Sequence, residues 1–106
     1  MDITWYSDAV EQISKQYTTK YNILRDDNWF ILKLQEEVGE LIQCYLMLSG
    51  KARTKGKTKE QIQLDFNKEV ADVLCHTLLL ARHYGIDLDK EVRDKWLVWM
   101  NSPGNE

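Results

Sequence analysis

The sequence predicts an all-α fold, a four-helix bundle-like subunit assembled as a homo-oligomer. Three observations carry this expectation. Apolar residues recur at spacings of three and four and nowhere alternate with a period of two, the pattern of amphipathic helices rather than strands. Capping residues and glycines cut the chain into four such stretches. The stretch from Val70 to Ala81 is apolar nearly all round and must be covered on every side, which three short companion helices from a chain of 106 residues would hardly achieve.

The first helix, about residues 3–19, places Ile3, Tyr6, Val10, Ile13 and Tyr17 on one face. A polar segment from Thr18 to Asp27 follows, where Asp26 or Asp27 can accept the first free amide hydrogens of a second helix, about 28–49. Gly50 suits the left-handed position just past its end. Lys51 to Lys59 holds five basic residues, no acidic ones and no apolar periodicity, so it reads as a loop. Thr58 with Gln61 fits a capping box and opens a third helix, about 59–84, in which Ile62, Phe66, Val70, Val73, Thr77 and Ala81 lead to a stop at Gly85. Asp87 can cap a fourth helix, about 88–100, with Leu88, Val92, Trp96 and Trp99 along one side. Asn101 to Gly104 ends it, and the last residues are expected to fray.

At 12.5 kDa the chain reads as one domain, residues 1–106, and 43% hydrophobic with 29% charged residues suits a globular protein. A net charge of −3 gives no global basic face, so duplex nucleic acid is not an expected partner. An anionic substrate would need a metal or a local basic cluster. Cys44 and Cys75 fall inside helices without C-x-x-C spacing and read as buried thiols in a reducing compartment. No secretory leader is seen, and the longest apolar run, Val73 to Ala81, contains a histidine and is too short for a bilayer. A cytoplasmic protein with no membrane partner is the expectation.

The chemistry is concentrated in two acidic stretches. Glu36, Glu37 and Glu40 lie within five positions of the second helix, and Glu69 and Asp72 interrupt the apolar run Val70-Ala71-Val73-Leu74 of the third. Residues three and four apart share a helix face, so Glu37 with Glu40 and Glu69 with Asp72 would offer four carboxylates to one point. Such crowding is costly unless a cation neutralises it, and all-oxygen ligation is what a hard divalent ion prefers. A magnesium site follows, with manganese as a possible substitute. A salt-bridged core, with Asp72 held by Lys33 or Arg82, is the rival reading; it leaves three carboxylates unexplained.

Other motifs fall away. Gly50 to Thr58 resembles a phosphate-binding P-loop, but five residues rather than four separate its glycines and no strand precedes it. A di-iron carboxylate bundle needs a Glu-x-x-His pair on each of two helices, whereas the second pair here is Glu-x-x-Asp. His76 and His83 share a face without a third nitrogen or sulfur ligand, which disfavours zinc. Trp5 and Trp29, near helix starts, are candidates to stack on a nucleobase.

The segments KLQEEVGELIQ and KEVADVLCHTLLLARHYGIDL resemble the MazG-type all-α nucleoside triphosphate pyrophosphohydrolases, whose signature is Glu-Glu-x-x-Glu followed by Glu-x-x-Asp on the next helix. The resemblance covers about residues 29–96. It implies a homodimer or homotetramer that cleaves a magnesium-bound (d)NTP between the α and β phosphates, releasing a monophosphate and pyrophosphate, in nucleotide-pool house-cleaning. It further implies Glu37, Glu40, Glu69 and Asp72 as metal ligands, Glu36 or Glu37 as the water-activating catalytic carboxylate, and Lys33, Lys68 and Lys95 as phosphate contacts. Base choice is then expected to involve Trp5, Trp29 and His76. A phosphoribosyl-ATP-type substrate and a non-enzymatic helical interaction module are the alternatives.

Overall fold

Each long helix starts on a side-chain oxygen. Asp2, Asp26, Thr58 and Asp87 accept hydrogen bonds from the backbone amides of Trp5, Trp29, Gln61 and Lys90, and Thr58 with Gln61 completes the capping box. The resulting elements, in a computed structural model that describes residues 1–100, are α1 (Ile3–Lys20), α2 (Asp27–Leu48), α3 (Lys59–His83) and α4 (Leu88–Lys95). Among the described residues there is no strand, so the fold is all-α. Residues 101–106, where Asn101 to Gly104 was expected to end the last helix, lie outside the described residues.

Three helices end alike. Past α1, α2 and α3 stand Asn22, Gly50 and Gly85, each left-handed at φ 54°, 77° and 66°. The next residues, Ile23, Lys51 and Ile86, donate back to the carbonyls of Thr18, Leu46 and Ala81 at 2.8–2.9 Å, the Schellman closure that satisfies carbonyls left free by the helix end. The expected fourth helix is shorter than its apolar pattern. It gives way at Trp96 to a single 3-10 turn, Leu97–Trp99, and Val92 and Trp96 remain exposed because no neighbour rewards that face with burial.

The scaffold is the antiparallel hairpin α2–α3. Phe30 near the start of α2 stacks on His83 at the end of α3, with ring centres 4.1 Å apart, and His83 Nε2 lies 2.6 Å from Asp27 Oδ1. Helix α1 crosses the C-terminal part of α3 and is held by charge more than by apolar burial. Arg25 forks onto Glu11, donating to Oε1 at 2.7 Å and Oε2 at 3.1 Å, and also donates to Ser14 Oγ at 2.9 Å. Arg82 donates to Asp8 Oδ1 at 2.6 Å. Hydrogen bonding from Arg25 holds the Glu11 carboxyl below the usual carboxylate range despite its partial burial.

The core is small: Phe30, Ile62, Leu78, Leu79 and Ala81. The all-round cover expected for α3 is only half realised in one subunit, since Leu78, Leu79 and Ala81 are buried while Val70, Ala71 and Leu74 are exposed. The radius of gyration, 16.8 Å, exceeds the ~13 Å of a compact chain this long. The accessible surface, 8155 Å², exceeds the ~6,200 Å² of a compact 12.5-kDa monomer. Even with the six final residues counted as fully solvated, a surplus of about 1,000 Å² remains.

Candidate metal centre

The hairpin brings the acidic stretches together because Glu37 and Glu69 lie on the sides of α2 and α3 that face each other. Among the described residues, ligand-capable oxygens of Glu36, Glu37 and Glu40 lie within 4.8 Å of one another, and those of Glu37, Glu69 and Asp72 do likewise. Glu37 belongs to both groups and is the pivot of the cluster. It is buried, at 8% exposure. Its Oε2 and that of Glu69 are both shut from solvent without a hydrogen-bond partner, a state that costs ~1–3 kcal/mol or more for each such group.

The electrostatics follow from this crowding. Burial first, and then the neighbouring Glu40 and Asp72, push the Glu37 carboxyl up from 4.5 to about 7. Burial, with Asp72 and Glu40 beside it, also raises Glu69. Lys33 is the cation at the site. Its Nζ donates to Glu36 Oε1 at 2.6 Å and stands 3.9 Å from Glu37 Oε1. That bond raises Lys33 and holds Glu36 below the usual range, although Glu36 is largely exposed. His76 Nε2 lies 3.6 Å from Glu37 Oε1, and burial, with Lys33 nearby, pushes the imidazole below its ordinary value.

The rival salt-bridged core is not what this arrangement contains. Arg82 is engaged with Asp8, Lys33 with Glu36, and among the described residues no lysine, arginine or histidine lies within 4.0 Å of Glu40, Glu69 or Asp72. Asp72 also differs from its expected setting. It is exposed rather than enclosed by its apolar neighbours, because α1 covers only the farther half of α3. An all-oxygen donor set with two buried oxygens lacking donors fits a hard divalent cation, and the residues able to hold one fall into two overlapping triads, Glu36 and Glu40 with Glu37, and Glu69 and Asp72 with Glu37, rather than the four expected carboxylates at a single point.

Beside the cluster lies a cavity of about 420 Å³ between α1 and the hairpin. Lys33, Glu37 and Asp72 reach it from one side, Trp29, Cys75 and His76 from its floor, and Ile13, Ser14 and Tyr17 from α1. The Trp29 and His76 rings are 6.3 Å apart. The other residues expected at the site stand elsewhere. Trp5 is exposed near the start of α1 and packs edge-on against Tyr6, outside the cavity lining. Lys68, one position before Glu69, is turned ~100° away from it into solvent. Lys95 is exposed at the end of α4, which packs mainly on the turn that follows it. Sequence reasoning missed the α1 wall of the cavity, Ile13, Ser14 and Tyr17, and the Arg25 anchor that sets it. Ile13 and Tyr17 were read only as a packing face. Both cysteines are free and half-buried, and burial pushes their thiols up.

Compared with known proteins, the chain matches no protein-family model, no curated protein and no solved structure. No described helix is long and apolar enough to cross a membrane.

Proposed function

We propose that the chain is a magnesium-dependent nucleoside triphosphate pyrophosphohydrolase of the MazG type it resembles, acting as a homo-oligomer on a (d)NTP at the α–β phosphoanhydride. The observation that carries this reading is the pair of buried, unpartnered oxygens, Glu37 Oε2 and Glu69 Oε2, inside a five-carboxylate cluster at the edge of a cavity. Glu37, Glu40, Glu69 and Asp72 would hold the metal. Bound there, magnesium, or manganese in its place, would supply charge neutralisation for a polyphosphate and lower the pKa of a coordinated water.

The chain's own residues supply the rest. Glu36 is exposed, ionised and one position from the pivot of the cluster, which suits it to accept a proton from an attacking water. Lys33 bridges Glu36 and Glu37, and in this reading it trades part of that contact for a phosphate oxygen. Trp29 and His76 line a cavity large enough for a base and sugar, with a tilted ring pair able to flank a planar group. Lys68 and the basic loop from Lys51 to Lys59 lie farther out, where they act by attracting the anion rather than by contact.

The test is a panel of natural and modified nucleoside triphosphates, with phosphoribosyl-ATP included, incubated with magnesium and scored by pyrophosphate release. At least one should turn over, and both Glu40→Gln and Asp72→Asn should abolish the activity. Undiminished turnover in excess chelator would sink the reading, as would no release from any member of the panel.

A further inference from the structure

Arg25 is placed by the two backbone closures that flank it. On one side Asn22 turns left-handed and Ile23 donates to the Thr18 carbonyl, which ends α1; on the other Asp26 accepts from the Trp29 amide, which starts α2. Only Leu24 and Arg25 lie between these closures. The Arg25 side chain is directed into the angle between the two helices, where it is 15% exposed. There it meets four side chains. Its fork on Glu11 ties it to α1, and Nη1, one prong of that fork, also donates to Ser14 Oγ at 2.9 Å. Its guanidinium carbon stands 5.0 Å from the centre of the Phe30 ring and 5.9 Å from that of Trp29, within reach of a cation–π contact. Two of the four, Ser14 on α1 and Trp29 on α2, line the cavity beside the carboxylates, whereas Arg25 itself does not. One side chain outside the cavity thus holds two of its walls.

The direction of the Ser14 bond follows from what arginine is. A guanidinium carries donors only, so Ser14 Oγ must be the acceptor and its own hydrogen is left for another partner. Among the described residues it donates to none, whereas the hydroxyls of Thr18 and Thr77 donate to backbone carbonyls one turn back. A hydroxyl that accepts from a cation is also the stronger donor, because hydrogen bonds in a chain polarise one another. On the same wall Val10 and Ile13 offer no polar side-chain atom.

We infer that Arg25 is a positioning residue and Ser14 a specificity-determining one: Arg25 sets Ser14 against the Trp29 ring, and Ser14 donates its hydroxyl hydrogen to an acceptor on the edge of a planar heterocycle lying between them, a carbonyl oxygen or an unprotonated ring nitrogen. This rests on the reading of the cavity as the seat of a nucleobase and adds the side chains that receive it. Walls set in advance lower the ordering cost of binding. Lysine in place of Arg25 keeps the charge, but a single ammonium cannot fork onto Glu11, hold Ser14 and lie flat over two rings.

Calorimetric titration of nucleoside monophosphates into the full chain with magnesium tests the inference. The probes are the ribo- and deoxyribonucleotides of adenine, guanine, cytosine, uracil and thymine, and the tightest-bound one is carried through variants compared where circular dichroism shows all of them folded. Ser14→Ala and Arg25→Lys should each weaken binding roughly three- to tenfold, the weight of one net hydrogen bond. The double variant should fall short of the product of the two losses by at least about threefold, because Arg25 acts through the hydroxyl that Ser14→Ala removes. Asp8→Ala, which loosens the other ionic anchor of α1, should leave the affinity within about twofold of wild type. Equal binding by wild type and Ser14→Ala, losses that multiply in the double variant, a loss in Asp8→Ala as large as in Arg25→Lys, or no saturable binding of any monophosphate to the wild type overturns the inference. Binding that depends on Ser14, without pyrophosphate release from any triphosphate, upholds it and refutes the catalytic reading. Pyrophosphate release with a KM that Ser14→Ala leaves unmoved does the reverse.

Discussion

Glu37 is the residue on which the site turns, because it alone belongs to both carboxylate groups and sits at about pH 7 in its titration. A carboxyl raised from 4.5 in the unfolded chain to about 7 in the folded one means that the folded state binds the extra proton. Metal-free stability is therefore highest below pH 4.5 as far as this group is concerned, falls between about pH 4.5 and 7, and falls no further above that, by at most ~3 kcal/mol in all. Thermal melts in chelator should show that decline, and Glu37→Gln should flatten it; a wild-type melting temperature that rises across the same interval, with no flattening in the variant, would contradict the assignment. Glu69 shares the predicament, since its Oε2 is buried without a donor and burial raises its carboxyl. Glu69→Gln should accordingly melt higher than wild type at pH 7.5 in chelator, by several degrees, and gain less from added magnesium. A lower melting temperature would mean that a cation has been stranded and would restore the salt-bridge reading. That Glu37 meets Glu40 on one helix and Glu69 with Asp72 on the next was legible from sequence, because spacings of three on two helices are geometry that survives any packing. What Lys33 does was less so. It closes on Glu36 at 2.6 Å, a partner three positions on in the same helix, where the sequence reading had offered it Asp72 or a phosphate.

At the scale of elements, local chemistry decides the helices and a few distant ion pairs decide their arrangement. The starts at Asp26, Thr58 and Asp87, and the stops at Gly50 and Gly85, could be read directly, because a cap depends on residues within one turn. Asn22 escaped notice, although it closes α1 as the glycines close α2 and α3, since asparagine tolerates the left-handed region less freely than glycine and signals it less clearly. Arg25 was equally hidden. Its partner Glu11 is 14 residues away on another element, and only the path of the intervening turn brings them together. Both side chains are about 15% exposed and the contact is a two-pronged fork, so Arg25→Ala should cost ~2–3 kcal/mol in urea unfolding. Asp8→Ala removes the more exposed contact with Arg82 and should cost under ~1 kcal/mol. Equal losses in the two variants would show that α1 is held by apolar contact and not by the fork.

For the whole molecule, the shape was anticipated where it follows from composition and missed where it follows from incompleteness. The all-α class was legible in the helical spacing of the apolar residues, the run of α3 among them. Which part of that run stays bare was not, because Val70 and Leu74 read as core by hydropathy alone, and only the packing of α1 on the carboxylate side of α3 leaves them exposed. A carboxylate cluster on the side of the hairpin that α1 crosses, and exposed Val70 and Leu74 on the other, is the architecture these features describe. Magnesium commonly binds through a few carboxylates together with substrate phosphates, so its affinity should rise when a triphosphate is present. The most direct test of the central claim is a calorimetric titration of manganese into the full chain at pH 7.5, with and without a non-hydrolysable nucleoside triphosphate, repeated on Glu37→Gln and Glu69→Gln. The account predicts saturable binding to the wild type that tightens with the nucleotide and is lost in both variants. Binding that survives both substitutions, or no binding to the wild type under either condition, would contradict it.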